Sequence, residues 1–311
     1  MPFSRVRSSH IPIPALLLAS IFWGMGFTWA KAAGESINAH LHLPPGSASG
    51  PVRLLAVRFA LGTVIWFSVF PKARRGWTVH NLRRSIPLGI LLALGAISQH
   101  LGLDHTSEAV SAFLTNLTVI FVPLIVAVFL RRWPPLRLCA AITMAVAGIY
   151  LMTGAAPTGF GKGELFGLAC AMFYAIYILA VDWIGSSEEP FRLTGVQFII
   201  VTIVCFAFSA LLPHGTESLG KGWQIFFGNS AIVRNTLLLT LLPTVGAYGL
   251  MMRFQPRISP TQATLIYLAE PIVAAIWAWW TAGRMLTVLT IIGAGLILLA
   301  NLLAGPSEKA Q

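Results

Sequence analysis

Apolar runs of about 17 to 25 residues, the length that carries an α-helix across a hydrocarbon core, recur along this whole chain. They fall at 13–31, 54–71, 86–104, 108–130, 137–154, 163–183, 192–212, 236–253, 259–281 and 287–304. Ten such runs in 311 residues leave no room for a soluble domain. In lipid every backbone N–H and C=O must be paired internally, which only helices and closed barrels achieve. The runs lack the strict alternation of a lipid-facing barrel strand. The pattern predicts an all-α integral membrane protein with ten transmembrane helices. Charged residues make up only 10% of the chain, against roughly 25% in a soluble domain.

A net charge of +11 could suit nucleic acid, but the basic residues alternate between loops instead. Of the 21 Lys and Arg, fourteen fall on one side when every second loop is assigned to it, including Arg74, Arg75, Arg83, Arg84, Arg131, Arg132, Arg253 and Arg257. Six fall on the other, including Lys31, Arg53, Lys162 and Arg234. The side richer in Lys and Arg is expected to be cytoplasmic, which places both termini there. Arg58 remains, about a turn inside the second span near its outer end. A cleaved N-terminal signal would leave nine spans and break the symmetry described next, so the first run is read as a membrane span. Cys139, Cys170 and Cys205 all lie within spans and read as small packing residues, not as disulfides or metal ligands.

The chain is written twice. A shift of about 150 residues lays "ACAMFYAIYILA" (169–180) on "ASIFWGMGFTWA" (19–30), and "QATLIYLAEPIVAAIWAWWT" (262–281) on "SAFLTNLTVIFVPLIVAVFL" (111–130). The expected organisation is a five-helix repeat over 1–155 and a second over 156–311. Five is odd, so the halves would enter the membrane in opposite senses. Such two inverted five-helix repeats are the signature of secondary transporters, with the substrate site at the repeat interface.

The phrases "FWGMGF" (22–27), "RFALG" (58–62), "LGLDHTSEAVSAFL" (101–114) and "YLAEPIVAAIWAWW" (267–280) resemble recurring phrases of the drug/metabolite transporter superfamily in its ten-helix EamA-type branch. Within it they are most similar to the bacterial exporters of aromatic amino acids and methyl viologen. The resemblance covers nearly the whole chain. It implies export of small metabolites, often amino acids, by a multi-pass protein of the bacterial inner (plasma) membrane. One departure stands out. The turn before each half's last helix often carries a Gly-Glu-Arg-like phrase, and only Gly283 and Arg284 of it are present, in "AGRMLT" (282–287).

Helical spacing puts Trp23 and Phe27 on one face of the first span and Phe173 and Tyr177 on one face of the sixth. The repeat relates the two pairs, and an aromatic-walled cavity there would suit an apolar side chain or a cation. The same stripes could equally serve helix packing. Tyr174, Tyr248, Tyr267 and Trp277 are further candidates. Gly163, Gly167 and Ala171 form a row of small residues that permits close helix approach.

Glu270 is the one acid in "TLIYLAEPIVAAIWAWW" (264–280). A charged side chain at the bilayer centre costs about 2.5–3.5 kcal/mol on insertion scales, so it faces the bundle interior. Three readings stay open for it: a proton-coupling group, a contact for a substrate ammonium, or a partner for an Arg or for backbone freed by the adjacent Pro271. Gln99, His100 and Asn116 either line the cavity or make interhelical hydrogen bonds. His100 and Asp104, four apart, could offer a metal two ligands where about four are needed, so no metal site is expected.

The chain has no G-x-x-x-x-G-K-[ST] to cradle phosphates, no H-E-x-x-H and no paired intramembrane carboxylates. It reads as a transporter and not an enzyme, with no cofactor. The partners expected are a small-molecule substrate and the lipid bilayer, with protons added only if transport is proton-coupled and not driven by the substrate gradient alone. Nucleic acid is not among them, and a monomer is expected. The charge pattern makes a test: green fluorescent protein fused after Gln311 should fluoresce in cells, and alkaline phosphatase fused there should stay inactive. The reverse result overturns the topology.

Overall fold

The computed structural model describes residues 12–129, 131, 133, 136–152, 161–185, 189–215, 221–257, 266–283 and 285–304. Every regular element among them is helical. In order they are α1 (Pro12–His40), α2 (Ser49–Val69), α3 (Val79–His105), α4 (Glu108–Phe129), α5 (Leu136–Met152), α6 (Lys162–Gly185), α7 (Pro190–Leu211), α8 (Ser230–Phe254), α9 (Ala269–Ala282) and α10 (Val288–Ala304), with short helical turns between them. Seven helices, α1 to α4 and α6 to α8, are long and apolar enough to cross a membrane. Helices α5 and α10 are apolar but shorter. Helix α9 has fourteen residues, and much of the first part of its expected span lies outside the described residues.

Polar caps begin several helices. Thr78 accepts from the Asn81 amide at 3.2 Å, Ser107 from the Val110 amide at 3.3 Å, and Asn229 from the Ala231 and Ile232 amides at 3.1 Å. Each pairs a donor that the first turn leaves without an intrahelical acceptor. Gly283, at φ 61°, ends α9 in the left-handed conformation that glycine adopts without strain.

Hydropathy misplaces two ends, with a consequence for the site. Helix α1 runs on to His40 because its polar residues find partners. Lys31 Nζ donates to the Leu103 carbonyl at 3.2 Å and to that of Thr106. Asn38 accepts from the Gly50 amide and donates to the Ser47 carbonyl, both at 2.8 Å, and reaches Asp104 at 3.4 Å. Helix α2 begins at Ser49, five residues before the apolar run. Arg58 is therefore not near the end of its helix, as the sequence reading has it, but about 13 Å along it, close to the middle.

Helix α3 packs on α6 and α7, α1 on α8 and α9, α2 on α7 and α8, α4 on α6 and α9, and α5 on α10. Glycines bring the crossings close. A methyl group on Gly167 would lie 2.6 Å from Leu114 Cδ1, so the expected row of small residues on α6 receives α4. On Gly24 it would lie 2.6 Å from the Glu270 carbonyl oxygen and 2.8 Å from Val273 Cβ. Gly24→Ala should therefore destabilise the protein by about 1–3 kcal/mol through overpacking, read as a fall in the thermal midpoint in detergent. Gly295→Ala, where nothing lies within 4 Å, should leave the midpoint unchanged or raise it.

Candidate functional site

Two helices that meet one another each tighten for one residue while their backbone stays in the right-handed helical region. Helix α4 does so at Leu117, and the chain entering α9 at Leu268. These positions are 151 apart, close to the shift that aligns the halves. An irregularity can leave backbone groups that hydrocarbon cannot pair, and it is then tolerated only where side chains or water take them up. At the first irregularity Thr118 donates to the Thr115 carbonyl at 2.7 Å and reaches that of Ala171 at 3.4 Å. Gln99 donates to Thr115 Oγ1 at 3.2 Å, and the same hydroxyl lies 3.8 Å from Cys170 Sγ. At the second Ser20 reaches the Ile266 carbonyl at 3.4 Å. The carboxylate of Glu270 belongs to the first turn after it.

A third irregularity sits in α8, where Thr240–Gly246 forms a π turn around Pro243. Proline cannot donate to the preceding turn, and the wider loop exposes carbonyls that neighbouring helices take up. Trp23 Nε1 donates to the Pro243 carbonyl at 3.0 Å. Thr244 returns its own hydroxyl to the Leu239 carbonyl at 2.9 Å and accepts Arg58 Nε at 2.6 Å.

Arg58 is the central surprise. It is 8% exposed, in the middle of α2, and among the described residues no carboxylate pairs with it. Its partners are neutral: Thr244, and His100 Nε2 at 3.4 Å from Nη1. His100 Nδ1 lies 3.0 Å from the Ala96 carbonyl, which only accepts, so Nδ1 carries the hydrogen and Nε2 of the neutral ring is free to accept from Arg58. The outer guanidinium nitrogen Nη2 makes no hydrogen bond among the described residues.

The aromatic residues join these parts. Trp23 meets Tyr248 and Tyr267 edge to face, with centroids 5.8 and 5.4 Å apart. Tyr248 lies four residues beyond Thr244 on α8 and Tyr267 three residues before Glu270, so Trp23 links the segment that holds Arg58 to the segment that carries Glu270. Trp23, Tyr174, Tyr248, Tyr267 and Glu270 are all half-buried.

Of the residues singled out from sequence, Trp23, Tyr248, Tyr267, Glu270 and His100 come together here, with Gln99 at the neighbouring irregularity in α4. Asn116 is buried and donates to the Ala112 carbonyl of its own helix at 3.1 Å. Phe27 is 5% exposed, in the apolar cluster with Leu239 and Ala274. Tyr177 is buried, and its hydroxyl donates to Gln197 Oε1 of α7 at 2.7 Å. Phe173 is half-buried. Arg58, Thr115 and Thr244 are the members that sequence reasoning misses. The signal for Arg58 is its presence within an apolar run; the threonines give none. Among the described residues no group of three or more His, Cys, Asp or Glu could hold a metal ion. The arrangement gathers a buried cation, a carboxylate and aromatic faces where helices meet.

The comparisons with known proteins agree in kind. An "Uncharacterized transporter" of Archaeoglobus fulgidus is 24% identical over 285 residues, covering 92% of this chain and 82% of its own. The "Uncharacterized transporter YwfM" of Bacillus subtilis is 24% identical over 303 residues, covering 95% and 94%. A crystal structure matches 96% of this chain and 97% of its own with a TM-score of 0.57 at 19% identity, a likeness of fold alone. The model of the EamA-like transporter family matches twice, over residues 10–154 and 161–305, and the chain belongs to that family.

Proposed function

We propose that this transporter exports small metabolites, above all amino acids that are aromatic or otherwise neutral, across the bacterial inner membrane by alternating access of two inverted five-helix repeats. The observation that carries the reading is the pair of irregular helices, α4 at Leu117 and α9 at Leu268, that meet at a site holding Glu270 and aromatic rings. Departures from regular helix at a repeat interface are how secondary transporters present backbone and side-chain polarity to a substrate at mid-membrane. The double match to one family model supports the duplication. So does the packing, since exchanging α1–α5 for α6–α10 maps the principal helix pairs onto themselves.

Helix α1 packs on α2, α3 and α4 at the end where Lys31, Asn38 and Asp104 join it to its neighbours, a natural place for one gate of such a cycle.

The cage of Trp23, Tyr248 and Tyr267 beside Glu270 favours one second reading, an exporter of organic cations. Flux of labelled amino acids and of methyl viologen in proteoliposomes, with and without an imposed pH gradient, separates the two. We expect neutral and aromatic amino acids to be carried well above protein-free vesicles, and Glu270→Gln to lower that flux by about tenfold or more. A mutant that keeps its flux but loses its response to the gradient makes Glu270 a proton-coupling group. Flux of methyl viologen without any amino acid overturns the amino-acid reading.

A further inference from the structure

The fold spends a buried arginine at its centre without giving it an acid. We infer that Arg58 is the carboxylate anchor of the transport site and Glu270 its ammonium partner, so that the substrate is recognised as a zwitterion lying across Tyr248 and Tyr267. The inference deepens the amino-acid reading above and rests on it.

Four observations lead there. Arg58 sits at mid-helix, 8% exposed, where an unneutralised charge is tolerated only toward a polar interior. Its described partners leave the charge standing: Thr244 fixes Nε, the neutral His100 ring lies at Nη1, and Nη2 is left over. A guanidinium held from behind in this way presents a planar donor edge, the geometry that takes a carboxylate in paired hydrogen bonds. Glu270 is likewise without a described cation beside it. Trp23 places the two ends within one site: it meets Tyr248, four residues beyond the Thr244 that holds Arg58, and Tyr267, three residues before Glu270.

A purely structural tie between α2 and α8 would explain the Thr244 contact but not the missing acid. A neutral amide in place of Arg58 would make that tie without the cost of a buried charge. An organic cation alone would satisfy Glu270 and be repelled by Arg58; an organic anion alone would meet the reverse. A molecule with both charges, a few bonds apart, neutralises both ends at once, and the half-buried rings of Trp23 and Tyr267 offer a face to its side chain.

The test is equilibrium binding to the full-length protein in nanodiscs with three probes: phenylalanine, its amide, which lacks the carboxylate, and 3-phenylpropionate, which lacks the ammonium. The leucine set runs in parallel. Wild type should bind each amino acid about 10- to 100-fold more tightly than either analogue. Arg58→Gln should bring the amino acid down to the affinity of its amide while leaving the amide almost unchanged. Glu270→Gln should bring it down to that of the acid. A purely structural Arg58 would weaken every probe alike and keep the wild-type ratios, which overturns the inference. Equal wild-type affinity for amino acid and amide overturns it too, as does the absence of binding by all probes. If Arg58→Gln fails to fold, the wild-type ratios still decide. Amino-acid flux without zwitterion preference sinks this inference and leaves the export reading standing. Zwitterion preference without flux does the opposite.

Discussion

Hydrocarbon supplies no hydrogen bonds, and that single deficiency organises the molecule. Regular helix satisfies it over most of the chain. Where the helix is irregular, at Leu117, at Leu268 and in the π turn of α8, the freed groups must be met by side chains of the same helix or its neighbours. Each irregularity has its partners in place: Thr118 and Gln99 at the first, Ser20 at the second, Trp23 and Thr244 at the third. The polar side chains are therefore gathered where the backbone is irregular. The site is a consequence of how the fold handles its own irregularities.

The same logic accounts for the different character of the two ends. At one, Lys31 and Asn38 tie α1 to the backbone of α3 and to the loop before α2, and Ser49 donates to the Pro213 carbonyl at 2.7 Å. These bonds use charged, amide and hydroxyl groups, whose net worth against water is small. The long apolar contacts of α3 with α6 and of α5 with α10 have no such alternative in water, and they suit bodies that move as units.

How much of this is legible in the sequence depends on what each signal measures. Hydropathy marks the zone that lipid covers, so it locates the helices but not their ends. That is why α1 appears to stop near Lys31 and why Arg58 appears peripheral. Charge in an apolar run is a strong signal, and it picks out Glu270 directly. Discounting Arg58 on the same criterion follows from the misplaced start of α2. Helical periodicity assigns residues to faces without saying what the face meets: Trp23 and Phe27 share a stripe, yet one faces the tyrosines and the other an apolar cluster. Thr115, Thr240 and Thr244 carry no signal, because a single hydroxyl that can return to its own helix is ordinary in a membrane span. Pro243 announces an irregular turn, but that Trp23 would cap it depends on a pairing between residues 220 apart in sequence.

If the site takes a zwitterion as proposed, a two-state carrier also needs a reason to switch when loaded, and the charges provide one. An empty site holding Arg58 and Glu270 without counter-ions favours the conformation in which water reaches both, because solvent is the only group left to screen them. Closing around an empty site would strip that water from two separated charges. Closing around a zwitterion replaces the water with one opposite charge at each end, so the occluded state becomes accessible only when the site is filled. Ligand can shift such an equilibrium only by its differential affinity for the two states, and here that difference grows with the cost of burying the charges alone. The unpaired arginine, a liability for stability, is then what couples occupancy to movement.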